Sequence, residues 1–135
     1  MDASTLESRW APRVLSSLRL ISGLLLVQHG AAKLFGVLSE NPHPPPLVSP
    51  VGFAGVLEFF GGLALAIGLC TRSVAFVLSG LMAVAYFWKH APGGFWPVLN
   101  HGELAVIYCW VYFYIFAAGP GCWSVDARIS RRPAA

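Results

Sequence analysis

The chain has 135 residues, of which 56% are hydrophobic and only 11% charged, with a mean hydropathy of +0.65; this balance excludes an ordinary water-soluble domain and points to a protein in contact with a lipid bilayer. A net charge of +3 does not make it a nucleic-acid binder, because its Lys and Arg flank apolar segments and form no basic stripe. Cys70, Cys109 and Cys122 are odd in number and form no C-x-x-C, which argues against a disulfide framework and a dithiol redox centre, so any electron chemistry is expected to need a bound carrier.

Arg9 and Arg13 precede an apolar run as the first region of a signal peptide would, yet the run from Val14 to Val37 is too long and lacks a convincing cleavage site, so it is expected to stay attached. It belongs to the first of four predicted spans, 12–37, 51–69, 72–90 and 101–118, each close to the ~20 residues that cross a hydrocarbon core. Pro12 suits a first helical position. The loop 38–50 holds Asn41-Pro42-His43-Pro44-Pro45-Pro46, where consecutive prolines remove donors and hold the chain extended. Cys70-Thr71-Arg72 leaves room only for a tight hairpin, with Thr71 the expected N-cap of the third span. Pro92 to Pro97 makes an irregular interfacial loop, and the tail 119–135, ending in Arg128, Arg131 and Arg132, is expected to fray.

Arg9, Arg13, Arg72, Arg128, Arg131 and Arg132 fall on one side of these spans, against Lys33 and Lys89 on the other. By the positive-inside bias the expectation is an all-α, integral-membrane four-helix bundle with both termini cytoplasmic, multi-pass in a bacterial inner membrane. Trp10 and Trp123 then suit the inner interface, and Trp88 and Trp96 the outer one.

His29, Lys33, Glu58, Lys89, His90 and Glu103 lie in or against the apolar runs, where an ionisable group costs several kcal/mol unless it is paired or wetted. At about 1.5 Å of rise per residue, His29 is about 12 Å and Glu58 and Tyr108 are each about 10 Å below the outer ends of their spans. Helical phase puts Ser22, His29, Lys33 and Gly36 on one stripe and Gly55, Glu58 and Gly62 on one side of the second span. Met82, Tyr86, Lys89 and His90 share a face, as do His101, Tyr108 and Tyr112. Convergence of these faces predicts an outer polar pocket with aromatic walls, suited to a flat amphipathic ligand such as a quinone headgroup. His29, Lys33 and Glu58 are the expected catalytic group; Tyr86, His90, Asn100, His101, Glu103, Tyr108 and Tyr112 are the expected ligand-binding set.

Plainer roles compete at several positions. Lys33 has a stem long enough to snorkel to the outer headgroups, and Arg19 is expected to reach the inner ones. Asn100-x-x-Glu103 has capping-box spacing, and Lys89 and His90 suit an interfacial position. His29 and Glu58 are short and deep, so their plain role is an interhelical hydrogen bond. No metal site is expected: haem ligation by His29 with His90 or His101 is disfavoured by mismatched depths and the lack of C-x-x-C-H.

Three stretches carry a family likeness. Gln28-His29-Gly30-Ala31-Ala32-Lys33-Leu34-Phe35-Gly36, Glu58-Phe59-Phe60-Gly61-Gly62 running to Gly68-Leu69-Cys70-Thr71-Arg72, and Asn100-His101-Gly102-Glu103-Leu104-Ala105 followed by Gly119-Pro120-Gly121-Cys122-Trp123-Ser124-Val125-Asp126 resemble the DoxX family of small bacterial membrane proteins. The resemblance runs from Arg13 to Asp126 and implies four transmembrane helices and an association with quinone-linked oxidoreductase and redox-stress membrane systems. The family's H-G-x-x-K, E-F-x-G-G and N-x-G-E elements map onto His29 to Lys33, Glu58 to Gly62 and Asn100 to Glu103; His101 occupies a variable place and the Pro42 to Pro46 stretch is a local elaboration. The function expected is a quinone-binding subunit or partner of a membrane oxidoreductase. The alternatives are a non-catalytic assembly subunit and a small-molecule carrier, the latter disfavoured by the lack of a broken-helix pair. Glycine-rich faces leave homo-oligomerisation open.

Overall fold

In the computed structural model, residue 4 and residues 6–38 and 43–130 are described, and all regular structure among them is helical. Asn41, Pro42, Arg131 and Arg132, which carried part of the loop and tail readings, lie outside the described residues. Helix α1, Ala11–Phe35, is entered through a π-helical turn, Leu6–Trp10, and has proline in its first turn, where the missing N–H costs nothing. It ends where Gly36 turns left-handed (φ 67°) and donates its N–H to the Ala32 carbonyl. Helix α2, Pro50–Ile67, starts with the Ser49 hydroxyl accepting the Gly52 N–H at 3.0 Å and ends at a left-handed Gly68. Helix α3, Thr71–Ala85, continues as a π-helical turn, Tyr86–His90, and a 3₁₀ turn, Ala91–Gly93. A short α4, Pro97–Asn100, leads to α5, Glu103–Ala118, and to a small α6, Val125–Ser130.

By length and apolar character three stretches can cross a membrane: Glu7–Phe35, Pro50–Ile67 and Thr71–Gly93. Helix α5 is equally apolar but has 16 residues, short of the ~20 that span a hydrocarbon core without help. Ile21, Phe60, Phe76 and Trp110 are all more than half exposed, an arrangement that lipid solvates and water does not.

The helices form two close pairs. Helices α1 and α2 pack through glycines seven residues apart on each, Gly23 and Gly30 against Gly55 and Gly62. A methyl group on Gly62 would sit 2.9 Å from the Gly23 carbonyl oxygen, and one on Gly23 would sit 2.8 Å from the Ala66 amide nitrogen. The two backbones are therefore in direct contact, which lipid-immersed helices need because they gain no hydrophobic energy from each other. Helix α3 packs on α5 around Ala75, Leu78, Met82, Tyr108, Tyr112 and Ile115, and the Ser79 hydroxyl donates to the Cys109 carbonyl at 2.8 Å. Gly61 against Leu78 joins the pairs, and the buried Tyr112 hydroxyl donates to the Ser22 carbonyl of α1 at 3.1 Å.

Over its described residues, 119–130, the tail does not fray as expected. Gly119 to Ser130 folds back under the end of the bundle where α1 begins and α2 ends: the Ser16 hydroxyl accepts the Trp123 N–H at 3.1 Å and the Asp126 N–H donates to the Gly68 carbonyl at 2.9 Å. Arg19 is the reason. It is 1% exposed, so the expectation that it reaches the headgroups is overturned. Its Nε donates to Pro120, one terminal nitrogen to Leu65 and Ala66, and the other to Trp123, at 2.9 Å to Pro120, 2.6 Å to Ala66 and 2.5 Å to Trp123. Leu65 and Ala66 offer carbonyls at the C-terminal end of α2, the end of a helix dipole that favours a cation; the Leu65 oxygen also accepts the Gly68 N–H at 3.1 Å. The guanidinium cannot lose its charge, and the folded tail supplies the remaining acceptors.

Asp126 completes this cluster. Its two carboxylate oxygens accept the Cys70 and Thr71 N–H groups at 2.9 and 2.8 Å, capping α3 from a distant part of the chain. This replaces the expected cap by the Thr71 side chain, since Thr71 lies inside the first turn and Cys70 holds the cap position. Burial alone would raise the Asp126 carboxyl, but hydrogen bonds from Thr71 and Cys70 and the charge of Arg19 hold it below the usual carboxylate value.

The glycine seam makes a direct prediction. Gly62→Ala should cost about 1–3 kcal/mol, since the clash is with backbone that cannot rotate away, whereas Gly80→Ala, whose added methyl meets nothing within 4 Å, should be neutral or mildly stabilising. Unfolding of the two variants in detergent measures the contrast, and equal stabilities would show that the seam tolerates separation.

Candidate functional site

At the end of the bundle opposite the tail, the same seam brings Lys33 of α1 to Glu58 of α2. Gly55, one turn before Glu58, leaves room for the lysine stem: a methyl group there would lie 2.9 Å from Lys33 Cβ. Lys33 Nζ donates to Glu58 Oε1 at 2.5 Å, an interhelical ion pair in which Glu58 is 3% exposed and the lysine side chain about a third. The snorkelling role for Lys33 gives way to this pairing. The other carboxylate oxygen, Oε2, is fully buried and has no hydrogen-bond partner among the described residues. A buried acceptor in that state costs about 1–3 kcal/mol of lost solvation.

Glu58 lies on the wall of a cavity of about 230 Å³. Its apolar lining comes from Leu26, Met82, Ala85, Leu104 and Ala105, and its polar lining from His29, Lys33, Glu58, His90, His101 and Tyr108. Four helices or their ends contribute. Tyr108 is stacked flat on Tyr112, with centroids 5.4 Å apart and planes 3° from parallel, and Tyr112 is anchored by its bond to Ser22. The His29 ring stands edge-on to Tyr108 at 6.5 Å. His29 is exposed at the rim of the cavity and makes no hydrogen bond to Glu58, so the expected buried imidazole–carboxylate contact is replaced by the ammonium–carboxylate one.

The loop after α3 shapes the other side. The π-helical turn Tyr86–His90 turns Tyr86 inward, where its hydroxyl donates to the Phe95 carbonyl, and leaves Lys89 exposed. His90 Nδ1 lies 3.1 Å from the Asn100 carbonyl oxygen. A carbonyl only accepts, so Nδ1 carries the proton and Nε2 is left as an acceptor in the neutral ring. The Asn100 side chain accepts the Gly102 N–H at 2.8 Å and donates to the Gly94 carbonyl at 2.6 Å. That loop staple overturns the capping-box reading, because α5 is capped by Gly102 with no side-chain bond and Glu103 is exposed. His101 takes a left-handed conformation (φ 59°) at the junction of α4 and α5 and borders the cavity.

Six of the expected site residues thus share one cavity: His29, Lys33, Glu58, His90, His101 and Tyr108. Tyr86, Asn100, Glu103 and Tyr112 do not line it; the first two hold the loop and Tyr112 backs Tyr108. Of the apolar lining the sequence pattern points to Met82 alone, although Leu26 stands three residues before His29 and Ala105 three before Tyr108, the spacing of one helical face. Arg19 and Asp126 carried no comparable pattern, since their partners are backbone groups distant in sequence.

An all-helical chain with apolar helices of membrane-crossing length and a half-sealed ion pair beside a cavity is an integral membrane protein with an internal polar site. It belongs to the DoxX family, whose model matches residues 14–91. It is also 33% identical over 129 residues to a Haemophilus influenzae protein described as uncharacterized, an alignment covering 92% of this chain and 96% of that one. No solved structure matches the chain.

The ion pair generates a stability prediction. Lys33→Met strands the Glu58 carboxylate without its cation and should cost about 1–3 kcal/mol, while the double variant Lys33→Met/Glu58→Gln should recover much of that loss. Thermal unfolding of the two variants and of wild type supplies the comparison; a double variant no more stable than the single one would show that the carboxylate does not depend on Lys33.

Proposed function

We propose that the outer cavity binds the headgroup of a quinone-like lipid and that the protein serves as a subunit or partner of a membrane oxidoreductase. The observation that carries this reading is the Lys33–Glu58 ion pair on the lining of a cavity that the Tyr108 ring also borders. The cavity of about 230 Å³ is smaller than the ~300–1,000 Å³ of sites that enclose a drug-sized ligand. That size fits one aromatic ring against Tyr108, with the isoprenoid tail left in the surrounding lipid.

The chemistry follows from the groups present. A quinol gives up protons together with its electrons, so a group able to accept a proton must stand within hydrogen-bond reach. Glu58 fills that role, Lys33 balances its charge, and His29 at the rim passes the proton toward water. Electrons leave to a partner subunit or carrier, since no C-x-x-C exists to hold them. The arginine-rich end that carries Arg9, Arg13, Arg72 and Arg128 is cytoplasmic under the positive-inside bias, which puts the cavity in the outer leaflet of a bacterial inner membrane.

Purified protein in detergent, titrated with a short-chain ubiquinone analogue and followed by tryptophan fluorescence, tests the reading. Saturable binding is expected, weakened about tenfold or more by Tyr108→Leu, which removes the aromatic wall. Absence of saturable binding would favour the assembly role instead.

A further inference from the structure

A second cavity, of about 370 Å³, lies at the opposite end of the bundle, where the last residue of α2, Ile67, meets Cys122, Trp123, Ser124, Val125 and Arg128 of the folded tail. We propose that this cavity holds the phosphate headgroup of an anionic phospholipid, with the Arg128 guanidinium as its anion-binding group. The inference is independent of the outer cavity and of what that cavity binds.

The polar groups on this lining are unequally engaged. Ser124 Oγ donates to the Gly121 carbonyl at 3.2 Å and accepts the Ala127 N–H at 3.0 Å, and the Cys122 sulfur accepts from the Ser16 hydroxyl at 3.7 Å. The Arg128 guanidinium and the Trp123 indole N–H have no hydrogen-bond partner among the described residues, and both groups only donate. No carboxylate among the described residues stands on the lining. Asp126, two residues before Arg128, has its oxygens on the Cys70 and Thr71 N–H groups. Donors without acceptors around one cation call for an anion, and the planar guanidinium matches two oxygens of a phosphate.

The surroundings decide between a free anion and a lipid. Ile67 and Val125 make the adjoining wall apolar, and beside it Trp123 and Ile129 are more than half exposed. Indole rings and short amphipathic helices of this kind settle at the boundary between headgroups and acyl chains. A phospholipid satisfies both halves of the wall, its phosphate on Arg128 and its glycerol over Ile67 and Val125, while its chains stay in the bilayer. The cavity volume falls within the ~300–1,000 Å³ of small-molecule sites. Basic residues at one membrane face also draw anionic lipid to it. Of the arginines at this end, Arg13 lies over the Trp10 ring and Arg72 donates to the Phe116 and Ala117 carbonyls, whereas Arg128 borders the cavity.

Native mass spectrometry of the full chain tests the site, after delipidation in a non-ionic detergent and titration with dioleoylphosphatidylglycerol or dioleoylphosphatidylcholine. One phosphatidylglycerol per chain is expected to bind about fivefold or more tightly than phosphatidylcholine, whose own cation opposes Arg128. Arg128→Gln should abolish that preference, and Arg9→Gln, an exposed arginine away from the lining, should keep it. Inorganic phosphate at millimolar concentration should leave the bound lipid in place. Equal affinities in the wild type, a preference that survives Arg128→Gln, or one lost equally in Arg9→Gln would overturn the proposal. Displacement by inorganic phosphate would overturn the lipid as occupant and assign the site to a small anion. The wild-type comparison of the two lipids is decisive even where a variant does not fold.

Discussion

The direct contact of the α1 and α2 backbones is the constraint on which both ends of the molecule depend. Gly23 follows Arg19 by one helical turn and Gly30 precedes Lys33 by less than one; on the antiparallel partner, Gly55 and Gly62 bracket Glu58 and approach Leu65. One seam therefore delivers two cations of α1 to two acceptor sets of α2. Side chains at those glycines would hold the helices apart, and the guanidinium and ammonium groups would each face lipid, where a charge near mid-bilayer is costly.

The two ends use the same seam differently. At the tail end the guanidinium finds carbonyls from α2 and from the folded tail, and Asp126 caps the start of α3. That set of partners has the character of a structural joint. At the other end a single lysine meets a single carboxylate on the lining of a cavity. That ion pair, unlike the arginine, borders space shared with aromatic and imidazole side chains.

Much of this was legible in the residues, for reasons that differ between elements. The apolar helices announce themselves through composition and the start of the first through Pro12, because capping chemistry is local; the ends at Gly36 and Gly68 fall one residue inside the spans 12–37 and 51–69. The grouping of Lys33, Glu58 and Tyr108 was legible because depth and phase on a helix are fixed by its rise and pitch. What the pattern could not carry was contact geometry. His29 and Lys33 lie a turn apart on one stripe, and only the three-dimensional approach at Gly55 decides that lysine takes Glu58 while histidine stays at the rim. The π-helical turn at Tyr86–His90 shifts the phase of the residues after it, so Tyr86 and His90 serve the loop in ways that a uniform helix does not predict. Arg19 and Asp126 bind backbone groups supplied by distant segments, and no side-chain spacing encodes such partners.

The central claim is that the cavity lined by Lys33, Glu58 and Tyr108 takes up a ligand from the membrane. A structure of the protein extracted with its native lipids tests it most directly. The account predicts planar density in the outer cavity, lying against Tyr108 with an oxygen about 2.6–3.2 Å from the Glu58 carboxylate. Acyl-chain density filling that space, or Glu58 turned away to satisfy both oxygens within the protein, would contradict it.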